Sequence, residues 1–343
     1  MQISIDKIGS VTKNANIQHE EEISQTISAQ EGLVVVGEVL EEKREYNQLE
    51  LPSGRFSTLK KGDIVALALG NRRALKGFVG KIPEKLEAGD VIQVLNLAGV
   101  AGVCVSENVT EVGHAFPVRI QGVVIRDGKA VNIKDRAEFA PAEKLINPSP
   151  LIIISGTCMH VGKTSVASEI IAHASRHGMK IYATKMAGVA SLKDVEKMKD
   201  YGAKKAISFL EAGLTSTVEQ DGLAVKITKG AINYLSKDRP DFIVVELGDG
   251  VYGEYGVMEI LEDLEIQANT AAHIGCAHDP MGAAKLAEVC EEIGLPLNAI
   301  SGPVTDNSVG QSFISKNLGL SGFNAMYYNK ELFKYVLNQC LKK

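Results

Sequence analysis

Leu151-Ile152-Ile153-Ile154-Ser155-Gly156-Thr157-Cys158-Met159-His160-Val161-Gly162-Lys163-Thr164-Ser165 is the stretch on which the reading of this chain turns. A strand-like run, Leu151 to Ser155, leads into a glycine. A Gly-Lys-Thr triplet follows, and then SVASEIIAHASRHG, with apolar residues at helical spacing and a stop signal at Gly178. Strand, glycine-bounded loop and helix in that order make a phosphate-binding loop of the Walker A kind. Backbone N–H groups of such a loop hold phosphate oxygens, and the helix adds its positive dipole end. The expected contacts are Gly156, Thr157, His160, Val161, Gly162, Lys163, Thr164 and Ser165. Lys163 reaches the terminal phosphates and the Thr164 hydroxyl ligates Mg²⁺. Five residues separate Gly156 from Gly162, one more than the usual spacing.

The chain has 343 residues, 45% hydrophobic and 23% charged, with a net charge of −5. That length suggests two or three domains, and the composition is that of an ordinary globular protein. Lys and Arg are scattered, so no basic face for nucleic acid is expected. No apolar run approaches a membrane span, and the first residues lack the apolar core of a secretion signal. The five cysteines have no metal-type spacing and read as reduced thiols, so a cytoplasmic protein is expected.

Residues 1–30 are polar and leave a flexible arm or an edge strand open. Residues 31–127 read as β-rich, with short apolar runs such as LVVVGEV and GDIVALALG between turn signals. Lys61-Gly62-Asp63-Ile64-Val65 resembles Ala88-Gly89-Asp90-Val91-Ile92 at an offset of 27 residues. Duplicated turn-and-strand units suit a small closed barrel, because closure removes exposed edges. The basic loop with Arg72, Arg73, Lys76 and Lys81 reads as a solvated hairpin, with an anionic-ligand contact as the alternative. Residues 128–149 read as a connector broken by prolines.

From residue 150 to 343 strands and helices alternate, which means βαβ units and a mostly parallel sheet. The fold class is α/β: a P-loop domain preceded by a smaller, barrel-like β-rich domain. Candidate strands are 151–155, 180–184, 242–246, 272–276 and 296–300. Candidate helices are 163–177, 192–212, 255–265, 280–293, 309–317 and 330–341. Ligands in such sheets sit beyond the carboxyl ends of the strands.

Lys185 ends the second strand and is placed to neutralise phosphate as a point charge. Asp194 follows; it either holds Mg²⁺ or opens its helix as an N-terminal carboxylate. Glu246 ends FIVVE, where an acid serves the metal or orients water in nucleotide hydrolysis. Asp249 lies three residues on among glycines. The expected metal set is therefore Thr164, Asp194, Glu246 and Asp249. His278 and Asp279 follow the next strand, and Asp279 suits a helix cap. Asn307 and Asp306 after the last strand offer groups for a base. No N-K-x-D guanine signature is present, so ATP is expected rather than GTP.

The five-residue gap, the GT start and the VGKT end resemble the loop of dethiobiotin synthetase and the cobyrinic acid amidating synthases. That family has a strand-end lysine in a K-P-V-A-S-G-like stretch, and Lys185-Met186-Ala187-Gly188-Val189-Ala190-Ser191 is similar without the proline. The resemblance implies magnesium at Asp194 and at the acid of Val245-Glu246-Leu247-Gly248-Asp249-Gly250. It also implies adenine near Gly302-Pro303-Val304-Thr305-Asp306-Asn307, and a homodimer. It covers about residues 150–320. A second resemblance is to the two-domain family that includes D-glutamate N-acetyltransferase.

Three functions are compatible with this loop. The first is an ATP- and Mg²⁺-dependent ligase or hydrolase that activates a small carboxylate for amide or ring formation, with Lys163, Lys185 and Glu246 as the catalytic groups. The second is a nucleotide-dependent switch ATPase with a protein partner. The third is an acyltransferase whose loop grips coenzyme A.

Overall fold

The computed structural model describes residues 1–218, 222–327 and 329–341. It divides into two compact units. The first unit holds Met1–Glu138 together with Val189–Lys193 and Phe209–Val218. The second holds Phe139–Gly188, Asp194–Ser208 and the described residues after Val218.

Five strands of the first unit form a ring. They are β1 (Val34–Val39), β2 (Ile64–Leu69), β3 (Val91–Val94), β4 (Val100–Glu107) and β5 (Phe116–Arg126). β5 pairs with β1 and β1 with β2, both antiparallel; β2 pairs parallel with β4. β4 then pairs antiparallel with β3, and β3 with β5, which closes the barrel. Inward residues such as Val35, Leu67, Ile92, Ala101, Val118 and Ile120 form one apolar core.

The repeat seen in the sequence is a repeated turn. Gly62 and Gly89 both take positive φ (89° and 99°), which a side chain resists. Asp63 and Asp90 accept from the backbone N–H three residues earlier, at 2.6 Å from Lys60 and 2.8 Å from Glu87. Each turn feeds a barrel strand. Where the sequence left an arm or an edge strand open for residues 1–30, strands Gln2–Ser4 and Glu20–Ser24 pair with each other, and the latter pairs with β5. Arg72 departs from the solvated-hairpin reading: it is only 5% exposed.

The second unit is a seven-stranded, wholly parallel sheet. Its strands are β6 (Leu151–Gly156), β7 (Ile181–Ala187), β8 (Lys205–Ser208), β9 (Phe242–Leu247), β10 (Thr270–Cys276), β11 (Ala299–Ser301) and β12 (Ser321–Gly322). The order is β8-β7-β9-β6-β10-β11-β12. β6 and β9 are buried along their whole length, which is why both read as unbroken apolar runs. The principal helices are α1 (Lys163–Arg176), α2 (Lys193–Asp200), α3 (Leu223–Ser236), α4 (Pro280–Glu292), α5 (Ser308–Asn317) and α6 (Lys330–Leu341).

Two helical expectations are corrected. Residues 192–212 are not one helix: α2 stops before Gly202 (φ 111°), and β8 pairs in parallel with β7. Residues 255–265 are interrupted at Asp263, whose carboxylate caps a second short helix through Glu265 N and Ile266 N at 3.1 and 3.0 Å. β8 and β12 were not read from the sequence. Among the described residues no helix is long and apolar enough to cross a membrane.

Candidate functional site

The loop between β6 and α1 is built as its sequence requires. Gly162 takes φ 94° immediately before the first residue of α1, Lys163. His160, exposed at the tip, is also left-handed (φ 63°), so the additional residue is absorbed in a turn. Val161 is buried and anchors the loop from below. The loop after β9 passes close by: a side chain at Gly250 would lie 2.3 Å from the Thr157 carbonyl.

Lys163 is buried, and its ammonium donates to the carbonyls of Cys158 at 2.7 Å and Asp249 at 2.5 Å. Burial pushes its pKa down, and the Glu246 charge opposes that. Beneath it the expected acids converge. The Thr164 hydroxyl donates to Glu246 Oε1 at 2.8 Å and lies 3.5 Å from Asp194 Oδ1. Lys185 forms an ion pair with Asp194 and stands in register with Glu246 across the β7–β9 pair.

Glu246 is buried, and its pKa is raised, first by that burial and next by the Asp194 charge; the two lysines pull it back. Its Oε2 has no hydrogen-bond partner. A hydroxyl and two carboxylates, one with an orphaned buried oxygen, form a hard-oxygen set that fits Mg²⁺. Among the described residues no group of three or more His, Cys, Asp or Glu side chains could hold a metal by itself. The fit is thus to a cation that keeps waters and phosphate oxygens as further ligands.

Strand, left-handed glycine, buried lysine at the first helical position, Glu246 near the end of β9 and Asp194 in the first turn of α2 together decide the architecture. The second unit is a P-loop fold. No protein-family profile and no curated protein matches the sequence. Among solved structures, the chain is similar to a DUF1611 family protein from Anabaena variabilis (TM-score 0.41, 10% identity, 64% of this chain and 66% of that one). It is similar to a nucleotide-binding protein in complex with ADP from Archaeoglobus fulgidus (TM-score 0.38, 11% identity, 57% and 88%). It is also similar to cell division protein FtsY from Thermotoga maritima (TM-score 0.37, 12% identity, 62% and 75%). These likenesses are weak, and the P-loop assignment stands on the geometry above.

The remaining expected residues fare differently. Asp249 (φ 62°) reaches the cluster through its backbone carbonyl on Lys163. Asn307 caps α5, its Oδ1 accepting from Val309 N at 2.9 Å and Gly310 N at 3.3 Å, which leaves only its amide NH₂ for a base. Asp279 caps α4 through Gly282 N at 3.0 Å. His278 is exposed.

One pair under the P-loop escaped the sequence reading. The Ser155 hydroxyl and His273 Nε2 are 2.7 Å apart, both fully buried. His273 Nδ1 faces the Leu295 carbonyl at 3.1 Å, which only accepts, so Nδ1 carries the proton and Ser155 donates to Nε2. Burial drives the His273 pKa down to about 4, so the ring is neutral. The bond ties the end of β6 to β10. The only sequence signal was a histidine inside an apolar strand.

Proposed function

We propose that the chain is a Mg²⁺-dependent, ATP-binding P-loop enzyme that transfers a phosphoryl group to a small carboxylate, leading to an amide or a ring. The observation that carries this is the second lysine. Lys185 lies beside Asp194 and Glu246, in the same cluster as Thr164. A phosphoryl group passing between two anions needs positive charge at both ends of its path.

On nucleotide binding, Lys163 exchanges its two carbonyl partners for phosphate oxygens, and the N–H groups at the start of α1 face the same anion. Thr164, Asp194 and Glu246 would hold the metal. Magnesium, when bound there, would neutralise the charge that develops on the phosphoryl group. Lys185 steadies the phosphoryl group as the carboxylate oxygen attacks and ADP departs. The acyl phosphate then yields to an amine, releasing inorganic phosphate. Positioning and charge supply most of the rate.

A second reading, a nucleotide-dependent switch with a protein partner, is favoured by one contact. Lys163 holds the carbonyl of Asp249, so filling the loop with phosphate releases the segment after β9.

The test is calorimetric titration with ATP, GTP and coenzyme A in the presence of Mg²⁺, followed by a screen of small carboxylic acids for stimulated ADP release. ATP binding that is lost in Lys163→Ala and turnover raised by an acid are the expected results. Turnover indifferent to every acid but raised by a protein fraction transfers the assignment to the switch. Coenzyme A binding with no nucleotide binding removes both in favour of acyl transfer.

A further inference from the structure

Residues 188–192 run from the end of β7 to the start of α2 and lie outside every helix and named strand. They stand between Lys185 and Asp194 in the chain. A stretch with no regular structure of its own is loose unless other residues hold it. Val189 bridges to Ser216. Ala190 N donates to the Thr215 carbonyl at 2.8 Å, and the Ala190 carbonyl accepts from Asn96 Nδ2 at 2.7 Å. Ser191 Oγ, Leu192 N and Lys193 N all donate to Glu50, at 3.3, 2.8 and 2.9 Å. Residues 189–193 and all of these partners belong to the first unit; Asp194, next in the chain, belongs to the second.

Glu50 makes three of these bonds. It ends a short strand, Gln48–Glu50, its N–H on the Leu97 carbonyl at 2.6 Å, and it is fully buried. A carboxylate taken out of water is costly. Four donors offset that cost, the three above and the Ser10 hydroxyl. Its two oxygens take successive N–H groups, Oε2 that of Leu192 and Oε1 that of Lys193, which fixes direction as well as place. Lys193 and Asp194 are the first two residues of α2. The Asp194 carboxylate, which pairs with Lys185 and lies 3.5 Å from the Thr164 hydroxyl, therefore projects from a backbone that Glu50 sets.

We propose that Glu50 is a positioning residue for the metal site: it holds the first turn of α2 so that Asp194 meets the cation. The inference rests on the reading of Thr164, Asp194 and Glu246 as Mg²⁺ ligands, and it gives the barrel unit a part in the chemistry at the P-loop. Groups that orient a metal ligand from behind cost about 10–100-fold in metal affinity when they are removed. Glu50 touches neither nucleotide nor metal in this scheme, so its loss should spare the grip of the P-loop on phosphate.

The test is Mn²⁺ titration of the full chain, followed by the paramagnetic resonance of free Mn²⁺, with a non-hydrolysable ATP analogue bound. Calorimetry of the same analogue in excess chelator gives the metal-free nucleotide affinity. Asp194→Asn should weaken Mn²⁺ and sets the scale. Glu50→Gln, close to the parent in size, should weaken Mn²⁺ by about tenfold or more and leave the metal-free nucleotide affinity unchanged. Glu50→Asp keeps the charge, draws the carboxylate back by one methylene, and should shift Mn²⁺ affinity in the same direction; it serves where Glu50→Gln does not fold. In the Asp194→Asn background, Glu50→Gln should cost nothing further, because both changes act through one carboxylate. Unchanged Mn²⁺ affinity in the Glu50 variants, metal and nucleotide affinities that fall together, or additive losses in the double variant overturn the proposal while leaving the metal site standing. Unchanged Mn²⁺ affinity in Asp194→Asn removes Asp194 from the metal set, and the proposal with it.

Discussion

Glu246 is buried with one oxygen on Thr164 and the other unpartnered, and its raised pKa has a consequence for stability. The folded chain keeps this proton at pH values where the unfolded chain, titrating near about 4.3, has released it. Stability is therefore lost as pH rises from the ordinary carboxylate range through the folded value. Glu246→Gln removes that loss. We expect the metal-free variant to melt above the parent at pH 8, the gap closing toward pH 4, while Mg²⁺-dependent turnover disappears. Calorimetric melting at both pH values decides; a gap independent of pH would sink the argument. His273 has the opposite sign. Its folded pKa of about 4 lies below the unfolded value near about 6.5, so the unfolded chain takes up the proton first and stability falls as pH drops through that window. The loss amounts to about 3 kcal/mol at full protonation. His273→Gln should flatten the pH dependence of urea unfolding between those values, and an unchanged slope would place the titration elsewhere.

At the scale of elements, α2 shows how a helix start is set from far away in sequence. Glu50 is fully buried and accepts from Leu192 N at 2.8 Å, Lys193 N at 2.9 Å, Ser191 Oγ at 3.3 Å and the Ser10 hydroxyl. Glu50→Ala strands these donors, and hydrogen bonds to a charged acceptor are worth about 1.5–3 kcal/mol each. A loss of about 3 kcal/mol or more in chemical denaturation is expected; a change within about 0.5 kcal/mol, the usual range for surface substitutions, would show the network to be dispensable. The same contrast explains what the sequence disclosed. Devices confined to a few residues were legible: the Gly-Asp turns at Asp63 and Asp90, the Asp279 cap, the Lys163–Thr164 corner, and Lys185 and Glu246 at strand ends. Partners remote in sequence were not, because nothing local marks them. Glu50 and Leu192 are 142 positions apart, and Ser155 and His273 are 118 apart. Asn307 was read for a base because an amide offers both a donor and an acceptor; helix capping engages the acceptor. Arg72 was read as solvated because a basic run usually is; in the fold it is buried near the Tyr46 and Phe78 rings, with Nη1 on the Leu95 carbonyl.

The whole molecule is assembled from units that are not sequence-continuous, and this bears on what a fragment can do. The ring of barrel pairings closes within residues 34–126, so the strands need nothing beyond them to pair. The unit's buried and half-buried polar groups do need more. Asn96 donates to the Ala190 carbonyl at 2.7 Å, and Asn14 donates to that of Leu210 at 2.6 Å. Thr215 donates to Glu31 at 3.0 Å, and Glu50 takes its donors from Ser191, Leu192 and Lys193. Residues 1–138 expressed alone should therefore form the barrel yet melt well below the barrel transition of the full chain. A peptide spanning residues 187–218, added in trans, supplies these partners and should raise the fragment's melting temperature by mass action. The same peptide carrying Leu192→Pro lacks the N–H that Glu50 accepts and should raise it less. Equal effects of the two peptides would remove Glu50 from the account. A fragment as stable alone as within the full chain would show that the barrel's polar groups are satisfied without residues 189–193 and 209–218.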